Sequence, residues 1–272
     1  MNYLSTSALV LGAILASGTL EARDARIIGG TKANYNNWKF FGQIIGNSEG
    51  ASHSRCGASY IGNNFMLTAA HCVDRVRDPK SIRIKFSPNN YTDEPENVVN
   101  VTKILVHPSY NSLGASSHDI ALLKIDKVID GVETITLPNL PLEQYVAPGT
   151  SLDVAGLGTE VIGAIKPSKL NEVSIEYVSD KTCHDALAGL NMSSPAVGVT
   201  SFCAGDSSGA GIKDSCSGDS GGPLVLRNGS QTVQLGVVST GMMGCAEPDT
   251  YGIYADVPKF VGWINSTVAA NK

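Results

Sequence analysis

No Cys-x-x-Cys pair occurs in this 272-residue chain, which argues against zinc ribbons and thioredoxin-like redox sites. Basic runs are also missing. Lys and Arg are few and scattered, the net charge is −5 and the pI is near 5.5, so neither a nucleic-acid footprint nor a basic membrane-surface helix is expected. The apolar run at the N-terminus, Ala8–Ala16, falls far short of the roughly 20 residues that span a bilayer. Helix–strand alternation is absent, as is any internal repeat, which disfavours a parallel sheet or a solenoid. With 42% apolar and 17% charged residues the chain is nonetheless globular, long enough for one large core or two small ones.

What is present begins with export. Ala8–Ala16 followed by Ala16-Ser17-Gly18 has the form of a secretory signal cut after Gly18, although no Lys or Arg precedes it. Residues 1–18 are therefore expected to be a signal peptide and the mature protein secreted. The six cysteines Cys56, Cys72, Cys183, Cys203, Cys216 and Cys245 would then pair, though the residues alone leave all fifteen connectivities open. Sequons at Asn90, Asn100, Asn191, Asn228 and Asn265 are compatible with export and a glycoprotein. Beyond the signal, Arg26 precedes Ile27-Ile28-Gly29-Gly30. It is either part of an ordinary linker or a site whose cutting frees the Ile27 amine.

From Trp38 onward the pattern is β. Ile82–Phe86 and Val173–Tyr177 alternate apolar with polar residues, as half-buried antiparallel strands do. Gly62-Asn63-Asn64 between two apolar segments predicts a hairpin turn. One helix stands out, at the C-terminus: Val257, Phe260, Val261 and Ile264 share a face, with Asp256 as cap and Pro258 in the first turn. Leu137–Leu142, with two prolines, is the best connector between two halves.

Three segments carry candidate chemistry. Thr68-Ala-Ala-His71-Cys72 sets a histidine beside a cysteine that can brace it. Asp119 immediately precedes the apolar run Ile120–Leu123, so its carboxylate is partly buried and needs partners. Ser220 lies in Asp214-Ser-Cys-Ser-Gly-Asp-Ser-Gly-Gly-Pro223, where glycines permit a sharp turn and close approach of a substrate carbonyl. A serine hydroxyl attacks only if a base takes its proton, and the base needs a carboxylate to orient it. Singly, each residue has a dull explanation as a loop histidine, a strand cap or a turn serine.

With their flanks, IIGG (27–30), TAAHC (68–72), HDIALLKI (118–125), DSCSGDSGGP (214–223) and YGIY (251–254), the chain resembles the chymotrypsin/trypsin family of serine endopeptidases, trypsin-like subgroup. The resemblance runs from Ile27 to the C-terminal helix. It implies an all-β fold: two antiparallel six-stranded Greek-key β-barrels with a C-terminal α-helix, split near 137–142. The triad mechanism was formulated on this family and comes with the resemblance. It makes His71 the general base, Asp119 its orienting carboxylate and Ser220 the nucleophile, with the Gly218 and Ser220 N–H groups as oxyanion hole. Ser239 matches a partner of Asp119. The implied disulfides are Cys56–Cys72, Cys183–Cys203 and Cys216–Cys245, typically worth about 2–4 kcal/mol each. Cleavage after Arg26 would remove residues 19–26 as an activation propeptide and let the Ile27 ammonium pair with Asp219. Asp214, with Ser215, Gly241 and Gly252, matches a primary pocket selecting Arg or Lys.

The departures are specific. Thr240 stands where the family usually has tryptophan, Ser217 replaces a longer rim residue, and Met242-Met243-Gly244 is one residue longer than the common trypsin loop. Asp93, Glu94 and Glu96 do not reproduce a calcium-loop pattern, so no metal and no cofactor are expected. Expected partners are protein and peptide substrates with Arg or Lys before the scissile bond. Protein inhibitors could also bind; nucleic acid and, once the signal is removed, membranes are not expected, and the enzyme should be a monomer. The competing reading is a secreted protease-like protein that binds without cutting, kept alive chiefly by Thr240.

Overall fold

The computed structural model describes residues 27–46, 56–86, 97–158, 169–229 and 231–272. Arg26, the signal and propeptide segments, Asn90 and the acidic Asp93, Glu94 and Glu96 lie outside the described residues.

After a short β1 (Thr31–Lys32), six strands form the first barrel: β2 (Phe41–Gly46), β3 (Gly57–Gly62), β4 (Phe65–Thr68), β5 (Ile82–Lys85), β6 (Val98–Val106) and β7 (Ala121–Ile125). They close in the order β2-β3-β4-β7-β6-β5. The second barrel uses β8 (Ser151–Gly156), β9 (Asn171–Val178), β10 (Ser201–Gly205), β11 (Pro223–Asn228), β12 (Gln231–Gly241) and β13 (Gly252–Asp256). The β8–β9 pairing closes that sheet, and β1 adds to the outer side of β9. In each barrel three consecutive strands form a meander and the fourth returns beside the first, β5 against β2 and β11 against β8. That is a Greek key used twice. Leu137–Leu142 lies in the segment joining β7 to β8.

Local chemistry accounts for these elements. At the β3–β4 hairpin Asn63 and Asn64 both have positive φ, 53° and 64°, the turn that matches strand twist and that asparagine tolerates. On β9, Val173, Ile175 and Val178 are buried and Ser174 is exposed, so the alternation holds; on β5 it fails at Lys85, which is buried. The C-terminal helix, α2 (Val257–Ala270), buries Val257, Phe260, Ile264 and Val268 against the first-barrel core. Each such side chain is worth roughly 1.5–3 kcal/mol. Among the described residues no helix is long and apolar enough to cross a membrane.

A second helix, α1 (Asp180–Gly189), was not expected from the sequence. It buries only Cys183 and Leu187, one turn apart, too narrow a stripe to stand out. It is held by other means: the Ser179 hydroxyl accepts from the Thr182 N–H, and Cys183 is bonded to Cys203 on β10.

Asp256 sits at the start of α2 but makes no capping hydrogen bond there. It is buried, and its Oδ1 has no partner. Burial, with the charges of Glu143 and Asp180 and against that of Lys259, pushes its carboxyl up to about 7. The folded protein therefore keeps a proton that the unfolded chain releases. Asp256 costs nothing below the unfolded pKa near 4 and progressively destabilises the fold as pH rises through 7. We expect Asp256→Asn to raise stability at pH 8 by roughly a few kcal/mol and to change it little at pH 4.5. Thermal melts of both proteins at the two pH values would check this; an equal shift at both would contradict it.

Candidate active site

Glycine and polar contacts bring the two barrels together at one place. The Gly57 N–H on β3 donates to the Ser220 carbonyl at 2.7 Å, and a Cβ on Gly57 would sit 2.8 Å from Gly222 Cα. Beside it, Ser59 Oγ donates to Gln234 Oε1 at 2.6 Å, wholly buried between β3 and β12. The Ser220 loop is thus set directly against the first barrel.

His71 comes from that barrel, on the short turn Ala70–Cys72 after β4, and the Cys56–Cys72 disulfide ties the turn to the start of β3. Asp119, 1% exposed, lies just before β7. Its Oδ1 accepts the His71 backbone N–H at 2.8 Å; its Oδ2 lies 2.7 Å from His71 Nδ1 and accepts Ser239 Oγ at 2.6 Å. Two satisfied oxygens make burial of this carboxylate tolerable. With Nδ1 facing a carboxylate, the network assigns the ring proton there and leaves Nε2 as the acceptor. Burial works to lower the His71 pKa, but the hydrogen bond and charge of Asp119, then the charge of Asp74, outweigh it, so the ring titrates above its usual 6.5. Nε2 is 3.7 Å from Cys72 Sγ and makes no hydrogen bond to Ser220 Oγ.

The Ser220 loop is shaped from below by Asp219. This fully buried carboxylate accepts the Gly158 N–H on Oδ1 and the Cys216 N–H on Oδ2, each at 2.7 Å. Gly218 has φ +103°, and a Cβ at Gly221 would lie 2.3 Å from Thr68 Oγ1, so only glycine fits either place. Neither the Gly218 nor the Ser220 N–H donates to any atom of the described residues. Ile27 is fully buried in the second-barrel core, and Ile28 pairs with the backbone of Asp214.

A cleft of about 400 Å³ opens beside these groups, and His71, Ser220 and Asp214 all line it. Gly241 and Gly252, paired across β12 and β13, form one wall, and the Cys216–Cys245 disulfide lines it too. Ser215 Oγ lies 2.8 Å from the Tyr254 hydroxyl. Asp214 is 3% exposed; Oδ2 accepts the Ala246 N–H at 3.4 Å, while Oδ1 has no partner. Burial chiefly, with a smaller push from the Asp219 charge, raises its carboxyl to about 7.

His71, Asp214, Ser215, Ser220, Ser239, Gly241 and Gly252 therefore line one cleft, with Asp119 bonded to His71 and Ser239 behind it, whereas the Cys183–Cys203 disulfide lies away from it, between α1 and β10. Ser116 also lines the cleft, and nothing in the sequence pointed there: it is placed by a left-handed loop conformation, φ 61°. The Gly158 N–H that holds Asp219 was equally invisible, being a backbone contact. Among the described residues Cys56, His71 and Cys72 bring three metal-type donors together, but both sulfurs are spent in a disulfide.

A family profile described as Trypsin matches residues 27–264. Chymotrypsin-like elastase family member 1 of Macaca fascicularis is 33% identical over 260 residues, covering 91% of this chain and 91% of its own. Duodenase-1 of Bos taurus is 33% identical over 267 residues, 97% of each chain. Transmembrane protease serine 11G of Rattus norvegicus is 32% identical over 263 residues, or 94% of this chain but 59% of that longer protein. A profile match over most of its length, relatives of this similarity and the paired barrels together place the chain in the trypsin family of serine endopeptidases.

Proposed function

We propose that this endopeptidase is secreted as a zymogen and, once cut after Arg26, hydrolyses peptide bonds following Arg or Lys. In that reaction Ser220 Oγ attacks the scissile carbonyl and passes its proton to His71 Nε2. Asp119 keeps the Nδ1 proton in place and stabilises the imidazolium, and Ser239 helps hold Asp119. The oxyanion is met by the two uncommitted N–H groups of Gly218 and Ser220, each donor worth roughly 3–4 kcal/mol in such enzymes. His71 then protonates the leaving amine, and water, deprotonated by the same ring, releases the acid from the acyl-enzyme. The Nε2–Oγ contact tightens when substrate fills the cleft.

The observation that carries the specificity is Asp214: a buried carboxylate with one unpaired oxygen, lining the same cleft as Ser220. A guanidinium or ammonium satisfies it, whereas an apolar side chain would leave it unpaired. The test is a pair of peptide anilides ending in Arg and in Phe, offered to the activated chain. Preference for Phe would refute the assignment.

Latency follows from Ile27 and Asp219. Residues 1–18 would be removed as the signal and 19–26 as the propeptide, and the freed Ile27 ammonium would pair with Asp219, which positions Gly218. Since the bond to be cut follows an arginine, the enzyme could process itself. An Arg26→Gln chain is expected to keep less than about 1% of the activated activity. Full peptidase activity in that uncut variant would rule out the zymogen.

A further inference from the structure

Asp119 is the middle residue of a three-residue turn. The Ile120 N–H donates to the His118 carbonyl at 2.8 Å, and His118 itself has φ 49°. A side chain other than glycine keeps that left-handed conformation only where its surroundings fix it. One restraint comes from the other barrel. Thr200, the residue before β10, is buried, and its Oγ1 accepts the His118 N–H at 3.3 Å. No other acceptor for that N–H lies among the described residues. Thr200 is itself held: its N–H donates to the Ala196 carbonyl at 2.8 Å, and its carbonyl accepts the Asp256 N–H at 3.0 Å. The His118 ring stacks on His107 and meets Phe260 of α2 edge to face, which fixes the other side of the residue.

The second barrel therefore grips the Asp119 turn twice. Ser239 Oγ reaches the carboxylate, and Thr200 Oγ1 reaches the backbone one residue upstream. We propose that Thr200 is a positioning residue for catalysis: its hydroxyl fixes the turn that aims the Asp119 carboxylate at His71 Nδ1. The inference rests on the Ser220–His71–Asp119 reading of the site. Without the hydroxyl the His118 N–H loses its acceptor in a partly buried place, and the turn is free to relax. Little movement is needed, because a misplacement of about 1 Å caused far from the reacting atoms can cost roughly a hundredfold in rate.

The test compares Thr200→Val, which keeps the shape and removes the acceptor, with Thr200→Ser, which keeps the acceptor. Arg anilide kinetics are expressed per folded chain, taken from each melting curve. Thr200 does not line the cleft, so KM should stay within about twofold. In Thr200→Val kcat should fall roughly ten- to thirtyfold, and in Thr200→Ser it should stay within about threefold of wild type. The acid limb of kcat is a readout that lost stability alone does not move. Burial lowers the His71 pKa, and the hydrogen bond and charge of Asp119, with the charge of Asp74, more than offset it. A looser Asp119 should bring that limb down toward 6.5 in Thr200→Val and leave it in place in Thr200→Ser. His107 and His118 titrate below 6.5, through burial and, for His107, the charge of His118. A Thr200→Val enzyme with the kcat and acid limb of wild type overturns the proposal. So does a Thr200→Ser enzyme as slow as Thr200→Val, because packing would then explain the loss. Should Thr200→Val not fold, hydrogen exchange at the wild-type His118 amide takes its place: protection of at least about tenfold is expected, and exchange at the open-chain rate overturns the proposal. An activated wild type that cleaves neither an Arg nor a Phe anilide would instead overturn the triad reading beneath it.

Discussion

Replacing Ser220 by alanine should lower kcat for peptide hydrolysis by roughly six orders of magnitude, leaving only what binding and the oxyanion donors supply. The backbone has little reason to move. The Ser220 carbonyl still accepts the Gly57 N–H, and the loop stays held by Asp219 and the Cys216–Cys245 bond. Stability should change by no more than about 0.5 kcal/mol, as for most substitutions that leave a cavity wall intact. His71→Ala should be about as damaging, and the double variant little worse than either, because the two groups act in one proton transfer. Asp119→Asn should cost about four orders of magnitude, since an amide facing Nδ1 no longer enforces the productive tautomer. Steady-state kinetics with an Arg anilide, alongside melting curves, would check the set. Additive losses in the double variant would contradict it.

The second large effect belongs to Asp214. Asp214→Ser should reduce kcat/KM for Arg substrates by roughly 10³-fold or more, with a far smaller change for Phe substrates. The pH profile of the unaltered enzyme carries the same signature. Because kcat/KM reports the free enzyme, it must fall at acid pH as His71 is protonated, above its usual 6.5, and as Asp214 is protonated near 7. For Arg substrates both groups must be deprotonated, so the acid limb should approach a slope of two in log kcat/KM against pH. In Asp214→Ser it should fall to one. A slope of one in the wild type would remove Asp214 from the substrate contacts.

The parts legible in the sequence are those where chemistry needs particular side chains on short segments. TAAHC and GDSGGP point to His71 and Ser220 because a bracing cysteine and turn-forming glycines lie within a few residues of each. The strands were legible where alternation survives, as on β9, and the hairpin at Asn63-Asn64 through its turn residues. Contacts set by distant backbone left no trace. The Gly158 N–H on Asp219 and the approach of Gly57 to Gly222 depend on how the barrels meet. Helix α1 escaped because a disulfide replaces the apolar face that would have announced it. The unpartnered, buried carboxyl of Asp256 and the burial of Lys85 violate the local pattern and show only in the fold. The loop Asp214–Pro223 changed most in meaning. Its glycines do separate jobs: Gly218 supplies an uncommitted N–H, while Gly221 and Gly222 let the loop press against β3.

The most direct test of the central claim is a pre-steady-state reaction of the activated chain with an arginine ester, read by leaving-group release and intact mass. Formation of an acyl-enzyme on Ser220 predicts a burst of about one leaving group per chain and a mass increase of one acyl group, mapped to the peptide containing Ser220. Both should vanish in Ser220→Ala. Linear release without a burst, together with no acyl adduct even at acid pH where deacylation is slow, would contradict it, as would an adduct mapped to any other residue.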